Sequence, residues 1–225
     1  MIFLCYNKDK GNKGDKLMKR ESSLSVEQNE EIEDKIKDII NEDLLNIDNK
    51  SITECTEFNE IIYDLLLDTT VLQMKNYTQH GKISCFIHCY YVAYYTYVVC
   101  KKLHLDYISA ARGAMLHDLF LYDWHTSSPA DVNEKGLHAW AHPKIALKNA
   151  CQTFNLNKIE KDIILNHMWP LTLRPPKTKE AFIVSCMDKF SATVETLENC
   201  RSRFHSSRIY RYAYIFVGLI IFRMF

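Results

Sequence analysis

The chain predicts an all-α fold, a single helical bundle, on three observations. Apolar residues recur every three to four positions through most of residues 51–200. Six Gly and five Pro among 225 residues are too few for a turn-dense β-barrel. Strand signals of alternating polarity are weak throughout. The length suits one sizeable core, and the organisation reads as an extension over 1–50, the bundle over 51–200 and a tail over 201–225.

Each part is justified by its residues. Residues 21–50 carry ten acids and three bases, a local charge of −7, and read as a solvated segment. Within it Ile32, Ile36, Ile39, Ile40, Leu44 and Leu45 recur at helical spacing, predicting an amphipathic helix that docks on the bundle. Helical patterns then run from Glu57 to Tyr77, Ile83 to Leu103, Tyr107 to Tyr122, Pro143 to Asn155, Lys158 to His167 and Lys179 to Cys200. Asp106 or Ser109 suits the cap of the third, Pro143 the first turn of the fourth and Asn157 the cap of the fifth. Thr126 to Gly136 reads as a loop, and Pro170, Pro175 and Pro176 break the chain again. Tyr212 to Phe222 is an apolar run of 11 residues between arginines. A membrane-spanning helix needs roughly 20, so this run reads as a docked terminal element, with a peripheral membrane contact as its other reading.

Composition excludes several classes. Lys and Arg number 28 against 28 acids, which removes the electrostatic footprint expected for a nucleic-acid polymer as partner. No Gly-rich phosphate loop and no internal repeat is present. Met1 to Tyr6 is too short for the apolar part of a secretion signal. The eight Cys form no CxxC pair and lie in apolar runs, so they read as reduced thiols of a cytoplasmic protein with little part in any ligation.

Chemistry is carried by His and Asp placed among apolar residues. His117 and Asp118 stand within Met115, Leu116, Leu119 and Phe120, where a carboxylate costs several kcal/mol unless a cation compensates it. A divalent metal is the natural compensator. On a helix, adjacent side chains point about 100° apart and can still approach one ion. His88, His167 and Asp188 lie in similarly apolar surroundings, and His142 precedes Pro143. A helix running from His138 would make Pro143 interior at a cost of about 3 kcal/mol. His142 is therefore placed at a helix start as a ligand, and His138 in a loop near the mouth. Such N and O ligands suit Fe, Mn, Zn or Ni.

His88, then His117-Asp118, then Asp188 follow the H…HD…D order of the HD superfamily of metal-dependent phosphohydrolases, and the resemblance covers roughly residues 76 to 199. His142 and His167 resemble the two extra ligands of its dinuclear branch, which includes the HD-GYP phosphodiesterases. The resemblance implies His88, His117, Asp118 and Asp188 on one metal, with Asp118 bridging to a second held by His142 and His167. No GYP segment succeeds His167, and Ser84 stands one turn before His88 where some HD-GYP members carry a carboxylate.

The function expected is hydrolysis of a phosphate mono- or diester of a small phosphorylated substrate by metal-activated water, one or two divalent ions being bound. His117 and Asp118 carry the catalysis, with Lys144 beside the His142-Pro143 step. Arg174, Lys189, Arg112, His138 and His125 are the candidate substrate contacts, the cations among them offsetting phosphoryl charge. Two other classes fit. One is a dinuclear iron oxygenase, since the six-ligand set also resembles myo-inositol oxygenase; the other is a non-catalytic ligand-binding module.

Overall fold

The computed structural model describes Asp34 and residues 55–80, 83–123 and 138–203. The C-terminal apolar run, His125, the loop before His138 and nearly all of the acidic extension lie outside those residues. The first described helix, α1 (Thr56–Leu66), buries Phe58, Ile62, Leu65 and Leu66. The pattern expected to run unbroken to Tyr77 is interrupted instead. Asp68 accepts hydrogen bonds from the amides of Thr70 and Val71 and restarts the chain as α2 (Thr69–Leu72), succeeded by a 3-10 turn (Gln73–Asn76). Two short antiparallel strands, β1 (Thr78–His80) and β2 (Ile83–Ser84), complete the entry.

Helix α3 (Cys85–Lys102) is the centre of the fold. Ser84 caps it through the amide of Ile87, and residues on nearly every face are buried, as a helix enclosed by other elements requires. Its tyrosines serve packing: Tyr90 and Tyr94 meet Phe58 edge to face at centroid distances of 5.5 and 5.3 Å. At its end His104 takes φ 56°, and the amides of His104 and Leu105 bond back to Lys101 and Cys100, a Schellman closure.

Helix α4 (Tyr107–Met115), capped by Asp106, packs on α3. The helix expected to reach Tyr122 stops at Met115, and Leu116 to Asp118 form a turn, with Leu121 at φ 54° redirecting the chain. Helix α5 (His138–Thr153) begins at His138, earlier than the Pro143 start expected, so His138 is helical and Pro143 interior. The missing proline amide removes one bond near the helix start, against which stands the burial of Ala141, His142, Ile145 and Ala146. Asn157 and Glu160 form a reciprocal capping box on α6 (Lys158–Asn166). Helix α7 (Lys179–Arg203) closes the bundle against α3 and α6. Among the described residues no helix is long and apolar enough to cross a membrane.

Candidate metal centre

Six side chains far apart in sequence meet in the interior: His88 from α3, His117 and Asp118 from the turn after α4, His142 from α5, His167 from the C-cap of α6 and Asp188 from α7. All six are buried. His117 and Asp118 reach the cluster because α4 ends there; they stand in a tight turn and not on a helix face.

The hydrogen bonds fix which ring nitrogens face inward. His117 Nδ1 donates to the Ala114 carbonyl at 2.6 Å, and His167 Nδ1 donates to the Ile164 carbonyl at 2.9 Å. A carbonyl only accepts, so both Nδ1 atoms carry hydrogen and both Nε2 atoms are directed to the cluster. His142 Nε2 lies 3.0 Å from His167 Nε2, and these sit 3.3 and 3.4 Å from Asp118 Oδ1. On the other side His117 Nε2 is 3.4 Å from Asp118 Oδ2 and 3.8 Å from Asp188 Oδ1, while His88 Nε2 is 3.2 Å from the same Asp188 oxygen. Donor atoms sharing one ion at about 2.1 Å stand roughly 3 Å apart, the spacing seen here. His117 Nε2 and Asp118 Oδ1 are buried with no hydrogen-bond partner, although such atoms are nearly always satisfied. Inward-facing lone pairs and carboxylate oxygens therefore fit a divalent cation.

The electrostatics agree. Burial opposes charge on His88, yet the Glu195 and Asp188 carboxylates hold its pKa well above the ordinary histidine value. Burial likewise opposes charge on His117, and the Cys89 sulfur, Asp118 and Asp188 outweigh it in the same direction. Asp118 and Asp188 are held well below the usual carboxylate range against their own burial, Asp118 by His117, His142 and His167, Asp188 by His117, His88 and Lys189. His167 is pushed down to about 4, chiefly by burial. The pocket attracts positive charge before any metal is considered.

The other candidates are placed unevenly. Lys189 touches the cluster: its Nζ donates to Asp188 Oδ2 at 2.8 Å and to the His167 carbonyl at 2.5 Å. Lys144 and Arg174 are exposed. Arg112 is engaged elsewhere, by Asp64 at 2.5 and 2.8 Å, the Ile61 carbonyl at 2.9 Å and Glu160 at 3.5 Å. His138 lies on the first turn of α5, and His125 lies outside the described residues.

Three contacts escape the sequence reading. Glu195 accepts from His88 Nδ1 at 2.9 Å. Gln79 of β1 donates to Asp118 Oδ2 at 2.5 Å. The thiols are also nearer the site than expected: Cys85 donates to the Asp118 carbonyl at 3.3 Å, and Cys89 Sγ lies 3.6 Å from His117 Nδ1. Cys85, Cys89, Cys100, Cys151 and Cys186 form no disulfide.

An all-α bundle holding a buried His/Asp cluster that fits a divalent cation is the class defined so far. Residues 85–193 match the family model of the HD domain, a family of generally metal-dependent phosphohydrolases. The chain matches no curated protein and no solved structure.

Proposed function

We propose that the protein is a metal-dependent phosphohydrolase that cleaves a phosphate mono- or diester of a small, nucleotide-like or other phosphorylated substrate. The observation that carries this reading is the pair of buried, unpartnered acceptors, His117 Nε2 and Asp118 Oδ1, within a cluster of inward-facing lone pairs. The two oxygens of Asp118 face different groups, His142 and His167 on one side and His117 on the other. His88, His117, Asp118 and Asp188 would hold one ion and Asp118, His142 and His167 a second, Fe, Mn, Zn or Ni by the donor set. When bound, such ions supply a water whose pKa is lowered toward about 7 and positive charge for the phosphoryl oxygens.

The chain's own groups do the rest. The Ala114 and Ile164 carbonyls fix the tautomers of His117 and His167, so no ring rotation is needed at loading. Asp118 orients the water, since its carboxylate is an acceptor at neutral pH. Lys189 holds Asp188 in place. Lys144 and Arg174, both exposed, are assigned to outer phosphate oxygens, and His138 and His125 are kept as further proposed substrate contacts; Arg112 keeps its structural pairing instead.

Replacing His117 and Asp118 together by Ala is expected to abolish both bound metal and turnover of a phosphoester panel. Elemental analysis and phosphate release measure the two separately. Full turnover in that variant defeats the assignment, whereas iron content with dioxygen consumption and no phosphate release selects the oxygenase reading.

A further inference from the structure

We propose that Glu195 is a positioning residue of the metal centre, setting His88 in the tautomer and orientation that bind the ion; the inference rests on the metal reading above. Asp188, Ser191 and Glu195 occur at intervals of three and four on α7 and so share one face of it. That face takes hold of both nitrogens of one imidazole. Asp188 Oδ1 stands 3.2 Å from His88 Nε2, while Glu195 places Oε1 and Oε2 at 2.9 and 3.1 Å from Nδ1.

An ionised carboxylate only accepts, so Nδ1 keeps its hydrogen on Glu195, and Nε2, facing the Asp188 oxygen, is the nitrogen that gives up its proton to bind an ion. A proton bridges the two atoms in the metal-free protein, and a bound cation would take its place. Ser191 in turn donates to Glu195 Oε1 at 2.8 Å, fixing the carboxylate that fixes the ring. Glu195 is 2 % exposed, so its charge acts through a low-dielectric interior. For His117 and His167 a backbone carbonyl does this work; on His88, in the first turn of α3, the side chain of Glu195 replaces it. A charged acceptor makes the imidazole a stronger donor to metal than a carbonyl does.

The test uses the full chain with Zn(II) alone, comparing wild type, Glu195→Gln and Glu195→Ala. Titration calorimetry gives affinity, and long-range proton–nitrogen NMR of the histidine rings reports the state of His88 Nδ1. Glu195→Ala is expected to bind Zn(II) about 10–100-fold more weakly. Glu195→Gln, which keeps an acceptor without its charge, is expected to lose roughly tenfold at most. In both, the His88 Nδ1 proton moves upfield from its wild-type position. Should Glu195→Ala fail to fold by circular dichroism, Glu195→Gln decides. Wild-type affinity together with an unmoved Nδ1 proton overturns the inference and leaves the metal reading intact. A wild-type protein that takes up no Zn(II) overturns both.

Discussion

His117 and His167 reach the same end by the same device. Each sits where its helix finishes and returns Nδ1 to a carbonyl three residues back, which turns Nε2 inward. In protein stripped of metal the acidic partners keep His88 and His117 protonated at neutral pH, because both pKa values are raised. Metal uptake must then expel those protons, up to about two per molecule, and apparent affinity must rise with pH. Calorimetry in buffers of different ionisation enthalpy counts them; uptake without proton release would contradict the geometry. The six cluster residues are legible in the sequence because a polar side chain in an apolar run has to be compensated. Glu195 is not, since Thr196, Glu198 and Asn199 beside it make the local sequence look solvated, and only its spacing from Asp188 points inward. Gln79 is hidden by a strand too short to show alternation.

Among elements, the packing of α4 on α6 sets how accurately His167 is delivered. Gly113 permits the close approach: a Cβ there would lie 2.8 Å from Ile163 Cδ1 and 3.2 Å from Glu160 Cα. The methyl group can swing away, but the backbone of α6 cannot. Gly113→Ala gains up to about 1 kcal/mol of helix preference and costs about 1–3 kcal/mol in overpacking. Net destabilisation of about 1 kcal/mol is expected, with weaker metal binding as α6 carries His167 outward. Denaturant melts with and without metal check both effects, and unchanged values in each would exclude this role for Gly113. Helix existence is legible from periodicity, and the Asp106 and Asn157 caps form where their residue types place them. Helix ends are harder. Leu116, Leu119 and Phe120 are as buried in a turn as they would be on a helix, so hydrophobicity cannot mark where α4 stops. Pro143 misleads because the local cost of an interior proline is outweighed by the burial of the residues around it.

At the scale of the whole molecule, the centre joins five helical elements, and stability must track its charge state. In chelator-treated protein the contribution of His88 and His117 is complete below about pH 6.5 and is lost as pH rises through their raised folded values. His167 acts in the opposite sense, its contribution falling away from about pH 6.5 down to about 4. Asp118 and Asp188 lose theirs only at still lower pH. Stability should therefore peak near about pH 6.5 and decline on both sides. A bound cation takes the place of the imidazole protons, so loading should remove the alkaline decline while leaving the acid one. Melts at several pH values with chelator and with metal measure this; an alkaline decline that persists on loading would count against the cluster as the binding site.

The termini of α4 and α6 add one more consequence. Both helices stop at the cluster with their carbonyl ends toward it, each equivalent to roughly half a negative charge. These ends add to the two carboxylates in favouring positive charge at the cluster, on the imidazoles in metal-free protein and on a cation once one is bound. Under the proposed phosphohydrolase reading, a phosphate is therefore expected to bind only after a cation has been taken up.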